Sequence, residues 1–192
     1  MEILGICGSA RKEGNTGVLV KEILNATGAN AKLVWLSESS INFCHGCFRC
    51  AKENGKCWQQ DGMQILYQDL INAKAIIIGS PTYYEDVSGL LKNMMDRCIA
   101  LNYLGIGEKS DLANHGWKPL YGKIGAIAVT VAGRGAERAE ETIKRYMEYS
   151  GVNIVGSIAV TLGRSFVTDK TEVIEKAREI GKIIGKTINN KL

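Results

Sequence analysis

Four of the chain's six cysteines fall within fourteen residues, CHGCFRCAKENGKC from Cys44 to Cys57, with gaps of two, two and six residues. Thiolates this closely spaced suit a soft metal centre. Two-residue gaps let a curling backbone aim Cys44, Cys47 and Cys50 at one point, and Cys57 can return from the following loop to complete the set. That spacing favours a 4Fe–4S cluster. A structural zinc site also takes four cysteines, but usually as two separated C-x-x-C knuckles, so zinc stands second, with a disulfide or uncommitted thiols as the remaining readings. Between the cysteines, His45 and Arg49 read as solvated loop residues. The sharper alternative is that Arg49 tunes a cluster's potential through its charge.

A second stretch carries anion chemistry. Gly8-Ser9-Ala10-Arg11-Lys12-Glu13-Gly14-Asn15-Thr16 joins an apolar run to a helical pattern. Glycines permit a sharp turn, and amide groups at a helix start favour a phosphate through their direction and the helix dipole. Ser9, Asn15 and Thr16 are candidate side-chain donors, Arg11 offers a charge-assisted bond, and Gly14 completes the turn. The loop lacks the Lys-Ser/Thr pair of a nucleotide triphosphate loop, and Gly5 and Gly8 do not fit the dinucleotide fingerprint. Only Glu38, after the next apolar run, keeps a ribose contact in view.

Two further loops suit a flat ring. Ser80-Pro81-Thr82-Tyr83-Tyr84 offers backbone amides, one hydroxyl and two aromatic faces, and Gly133-Arg134-Gly135 offers a glycine turn with a cation. Together the three loops describe a flavin mononucleotide (FMN) site, with the phosphate at the first and the ring between the second and third.

These residues need a frame. Apolar, β-branched runs at 3–7, 32–36, 75–79, 124–131 and 152–160 lack polar alternation, as expected of strands covered on both faces. Helical spacing links Leu19, Ile23 and Ala26; Met63, Leu66 and Leu70; Leu91, Met94, Met95 and Cys98; Ile143 and Met147; and Val173, Ala177, Ile180 and Ile184. The alternation predicts a doubly wound α/β sheet of five parallel strands with helices on both faces, whose ligands bind beyond the carboxyl ends of the strands. The segment 101–121, with Tyr103, His115 and Trp117, reads as an irregular lid or an oligomer contact.

Composition narrows the function. The 192 residues are 45% hydrophobic, which fits one domain over 1–192 with a cysteine-rich loop at 37–60. A net charge of +4, scattered among acids, leaves no nucleic-acid footprint, while an anionic cofactor is enough to engage it. No stretch predicts a membrane span, and the opening MEILGICGSA reads as a first strand, which argues for the cytoplasm. In a reducing compartment, clustered cysteines serve as ligands or redox groups more often than as staples. Cys7 and Cys98 lie in apolar stretches and are expected as buried thiols.

Four motifs in order carry a family likeness: GSARKEGNT at 8–16, the cysteine run, SPTYY at 80–84 leading into LKNMMDR, and AGRGAE at 132–137. The chain resembles the iron–sulfur flavoproteins, a branch of the flavodoxin-like NADPH-dependent FMN reductases. The resemblance covers nearly the whole chain. It implies a flavodoxin-like fold, FMN held by the three loops, a 4Fe–4S cluster on Cys44, Cys47, Cys50 and Cys57, and a homodimer or homotetramer in which the cluster of one subunit lies near a neighbour's flavin. The stretch QQDGM before Met63 departs from the paired acid and methionine of relatives.

The expected activity is electron relay from a ferredoxin-like donor or NAD(P)H to a small acceptor such as oxygen, peroxide or a quinone. No paired carboxylates or nucleophilic triad occupy the loops, so position and electrostatics would be the protein's contribution. Two other readings stand beside it: an NAD(P)H-dependent FMN or quinone reductase without a cluster, and a non-enzymatic flavodoxin-like carrier or redox sensor.

Overall fold

The computed structural model describes residues 1–105 and 118–190. In chain order its first half holds β1 (Ile3–Cys7), α1 (Asn15–Ala26), β2 (Ala31–Trp35), the single turn α2 (Arg49–Lys52), α3 (Met63–Asn72), β3 (Ala75–Tyr83), β4 (Asp86–Val87) and α4 (Gly89–Arg97). Its second half holds β5 (Ile124–Val131), α5 (Ala136–Ser150), β6 (Asn153–Thr161) and α6 (Thr171–Asn189).

Five strands run parallel in the order β2-β1-β3-β5-β6. The pleat divides their side chains between two cores. Leu4, Ile6, Ile76, Ile78, Ile127 and Val129 pack with Leu66 and Leu70 of α3, Leu91 and Met94 of α4, and Ile143 and Met147 of α5. Ile3, Ala75, Ile77, Ala126 and Ala128 pack with Leu19 and Ile23 of α1 and with Ala177, Ile180 and Ile184 of α6. Both faces being covered explains why these strands read as continuous apolar runs. The predicted doubly wound sheet is therefore present, with Cys7 and Cys98 buried as expected.

Strand order reverses at β1, whose neighbours β2 and β3 are reached by connections over opposite faces. The carboxyl ends of β1 and β3 thus border a crevice, the general ligand position of such sheets.

One strand is longer than its apolar run suggests. The run at 75–79 continues to Tyr83 and folds back as a hairpin, pairing Thr82 with Val87 and Tyr83 with Asp86 of the short antiparallel β4. Its two turn residues, Tyr84 and Glu85, both have positive φ (49° and 64°), the condition for a type I′ turn. The aromatic loop is thus a strand extension.

Cys98–Tyr103 continue α4 as a 3₁₀ turn in which Tyr103 is buried. His115 and Trp117 lie outside the described residues. Among the described residues, no helix is long and apolar enough to cross a membrane.

Candidate functional site

At the carboxyl ends of β1 and β3 the first two loops form one unit. The Gly8 N–H donates to the Gly79 carbonyl at 2.8 Å. Ser88 Oγ donates to the Gly8 carbonyl at 2.8 Å and caps α4 by accepting from the Leu91 N–H at 3.2 Å. Its own N–H donates to Ser80 Oγ at 3.0 Å. A Cβ at Gly8 would sit 2.7 Å from Ser88 Oγ, so this close approach requires glycine. Beyond it, the buried Ser9 hydroxyl donates to the Arg11 carbonyl and accepts from the Arg11 N–H, both at 3.1 Å. The Gly14 N–H also donates to the Arg11 carbonyl, at 3.1 Å, closing the turn. No side chain caps α1. Its first amides and its dipole are therefore left for an anion, with the exposed Arg11 on the same loop.

Like Ser9, the other two predicted side-chain donors have partners within the chain. Asn15 reaches the loop after β6, its Nδ2 donating to the Ser165 carbonyl at 3.2 Å and its Oδ1 accepting from the Val167 N–H at 2.9 Å. Thr16 Oγ1 lies 2.6 Å from Thr130 Oγ1 in the sheet. These side chains fix the start of α1. Lys12 pairs with Glu38, the residue considered for a ribose contact, tying this loop to the end of β2.

In the hairpin, Pro81 extends the β3 ladder opposite Thr130, and Tyr83 and Tyr84 are exposed. Thr82 Oγ1 is buried and has no hydrogen-bond partner. The hairpin tip docks on the third predicted loop. Arg134 is exposed and pairs with Glu85, Gly133 is open, and Gly135 has φ +92° with its backbone against the tip. A Cβ at Gly135 would lie 2.4 Å from Glu85 Cα. Asp86 receives Thr142 Oγ1 at 2.7 Å and pairs with Arg138 at 3.2 Å.

The cysteine run lies between β2 and α3. Gly46 (φ +62°) and Phe48 (φ +53°) take left-handed conformations, and these produce the curl between Cys44, Cys47 and Cys50. All four cysteines line one cavity of about 580 Å³, walled also by Trp58, Asn93, Arg97 and Tyr146. Every cysteine of the chain is a free thiol. Among the described residues, no three His, Cys, Asp or Glu side chains converge as a metal-ligating group. The backbone N–H of Arg49 lowers the pKa of Cys47 by hydrogen bonding, and the Trp58 indole adds to the effect. Burial raises that of Cys50, reinforced by the neighbouring Cys57 and Cys44. The Arg49 guanidinium stacks over Trp58 at 5.3 Å, and His45 meets the same ring edge-on at 5.6 Å.

Sequence reasoning passed over the pair behind this cavity. Arg97 is 1% exposed and Asp61 4%. Arg97 Nη1 donates to Asp61 Oδ2 at 2.6 Å and to the Asn42 carbonyl at 2.8 Å, while Nη2 donates to Asp61 Oδ1 at 3.1 Å and faces Cys57 Sγ at 3.6 Å. Burial would raise the Asp61 carboxyl, but hydrogen bonds from Arg97, Asn42 and Met63 outweigh it and hold its pKa below the ordinary value. No spacing in the sequence marks the pair: Arg97 lies beside the apolar stripe of Leu91, Met94 and Cys98, where a surface cation would also lie.

The sequence profile of the NADPH-dependent FMN reductase family matches residues 1–166. An iron–sulfur flavoprotein of Methanocaldococcus jannaschii is 34% identical, covering 98% of this chain and 94% of its own. One of Archaeoglobus fulgidus is 31% identical over 100% of this chain and 82% of its own.

The chain belongs to the iron–sulfur flavoproteins of the NADPH-dependent FMN reductase family.

As a member of that family it is an FMN-linked oxidoreductase. A flavodoxin of Streptococcus pneumoniae shares the fold, with a TM-score of 0.60 at 13% identity over 97% of this chain and 99% of its own. The flavodoxin-like fold implied by the family resemblance is thus established. The crevice suits the family's cofactor: it offers uncapped helix amides for a phosphate and an unpartnered Thr82 hydroxyl for a polar ring edge.

Proposed function

We propose that this family member holds FMN on the three strand-end loops and a 4Fe–4S cluster on Cys44, Cys47, Cys50 and Cys57. In this reading it works as an oxidoreductase between a ferredoxin-like or NAD(P)H donor and a small acceptor such as oxygen, peroxide or a quinone. The observation that carries the reading is the shared cavity: four free thiols of one run line it, beside the inward-facing wall residues Asn93 and Arg97. Asn93 Oδ1 and Arg97 Nε are buried without a partner, so the cavity suits a polar, hydrogen-bonding occupant. Thiolate donors match iron–sulfur chemistry. When bound, FMN exchanges a hydride or single electrons and a 4Fe–4S cluster exchanges single electrons, so the two together convert between these kinds of transfer.

The chain's own residues bind and orient. The α1 amides with Arg11 take the phosphate, and Ser9 and Gly14 shape the loop around it through their bonds to Arg11. Asn15 and Thr16 hold that helix start in place through their side chains, and Pro81, Thr82, Tyr83 and Tyr84 face the ring opposite Gly133, Arg134 and Gly135. The Arg49 N–H and the Trp58 indole favour the thiolate of Cys47, the form that ligates metal. Free thiols also fit a reducing cytoplasm. The exposed Phe43, Phe48 and Trp58 around the cysteines support a homodimer or homotetramer in which this rim is covered.

Anaerobic purification tests the reading. Iron and sulfide at cluster stoichiometry, with broad visible absorbance beneath the flavin bands that bleaches on reduction, is the expected result. A second reading, an NAD(P)H-dependent FMN or quinone reductase without a cluster, is favoured by the unconverged thiols. It would show flavin bands alone, with full NAD(P)H turnover.

A further inference from the structure

The cysteine loop begins at Asn42 and ends at Asp61, and one buried guanidinium touches both ends. Arg97, the last residue of α4, donates to the Asn42 carbonyl at 2.8 Å and to both Asp61 oxygens at 2.6 and 3.1 Å. Asp61 Oδ2 also accepts from the Asn42 N–H at 2.9 Å, and Oδ1 from the Met63 N–H at 3.0 Å. These bonds close the loop at its base. The same guanidinium turns Nη2 toward Cys57 Sγ at 3.6 Å. Its Nε is buried without a partner, and its side chain lines the cysteine cavity.

We infer that Arg97 is the positioning residue of the cysteine site, which sets Cys57 in place, presents a buried positive charge and an N–H···S bond to its sulfur, and depends on Asp61 to hold it there. The inference rests on the reading of the cysteines as cluster ligands. Hydrogen bonds to ligand sulfurs and nearby positive charge stabilise the reduced, more negative cluster and so raise its potential. The Asp61 carboxylate neutralises the pair as a whole, but the cationic end faces the sulfur. Lysine cannot reproduce this, because only the planar fork reaches a carboxylate, a carbonyl and a thiolate together.

The test compares wild-type holoprotein with Arg97→Lys and with the double variant Arg97→Gln/Asp61→Asn, which leaves no unpaired buried charge. Each is assayed for iron, FMN affinity and cluster potential, the last by redox titration followed by electron paramagnetic resonance. The expected result in the double variant is unchanged FMN affinity with a cluster whose reduced-to-oxidised ratio at fixed potential falls at least tenfold, about 59 mV downward for one electron. Loss of iron with FMN retained supports the positioning role equally. Arg97→Lys is expected between the two. A cluster at wild-type occupancy and potential in the double variant overturns the inference, and so does joint loss of FMN and iron, which would make Arg97 a residue of the whole fold. If wild type itself carries no iron, the cluster reading fails. The positioning role is then decided on the same proteins by alkylation of Cys57, where tenfold faster labelling in the double variant supports it and an unchanged rate overturns it.

Discussion

The hydroxyls of Thr16 and Thr130 meet at 2.6 Å in the interior, joining the first turn of α1 to β5 across 114 residues of sequence. The contact fixes the direction in which the uncapped amides of α1 point. Thr130→Val would leave the Thr16 hydroxyl buried and unpaired, a cost of about 1–3 kcal/mol. The Thr16→Val/Thr130→Val pair removes both polar groups and should recover part of that loss. Urea unfolding of the four proteins reads the coupling as a double-mutant cycle.

The Ser88 hydroxyl makes two bonds, donating to the Gly8 carbonyl and accepting from the Leu91 N–H. Ser88→Ala removes the cap of α4, at about 1 kcal/mol, and frees the Gly8 carbonyl from the hairpin. Chemical denaturation should show that loss, and calorimetry should show weaker FMN binding because two cofactor loops are uncoupled.

Gly135→Ala places a methyl group 2.4 Å from Glu85 Cα at a residue with φ +92°. The strain alone is of order 1–3 kcal/mol. Lower thermal stability and weaker FMN binding are expected together, since the displaced hairpin carries Thr82 and both tyrosines. Gly133→Ala, where a Cβ meets no atom of the chain within 4 Å, is the control for stability and should leave thermal stability unchanged.

Cofactor and metal can be separated by substitution. Arg11→Ala should weaken FMN by about 1.5–3 kcal/mol if its guanidinium meets the phosphate, with iron unchanged. Cys47→Ala should abolish iron and leave FMN affinity intact. Unchanged FMN affinity in the first variant removes Arg11 from the site.

Acid titration probes the buried pair. The pKa of Asp61 is lower folded than its ordinary value of 3.8, so its contribution to stability is complete above that value and is lost as the pH falls through the folded pKa. Asp61→Asn should therefore cost about 3 kcal/mol or more at pH 7 in the apoprotein, with the gap to wild type narrowing as the pH drops below 3.8. Unfolding by urea at a series of acid pH values measures it, and a constant gap would exclude Asp61 as the group responsible.

The sheet was legible because buried parallel strands advertise themselves: the runs at 3–7 and 124–131 coincide with β1 and β5 to the residue. The extension of β3 to Tyr83 was hidden, since Pro81 and two exposed tyrosines look like loop chemistry. Its cause is the pairing with Asp86 and Val87, a contact between segments that local spacing does not encode. The turn from β1 into α1 was recognisable from its glycines and their place between strand and helix. The partners of Asn15 and Thr16 were not, because they lie 150 and 114 residues away. Arg97 and Asp61 were overlooked for a related reason: each looks like a surface charge until the fold buries both.

The turn of Tyr84 and Glu85 has a consequence for engineering. Its two left-handed positions are those where asparagine and glycine sit most easily, and each large side chain there costs about 1–2 kcal/mol. A search for heat-resistant variants guided by local backbone preference would select Tyr84→Asn with Glu85→Gly early. The gain would remove an aromatic face from the proposed flavin site and the acid that pairs with Arg134. With the proposed site, hardiness and turnover are set against each other at this hairpin tip, and a stabilised variant should be screened there before anywhere else.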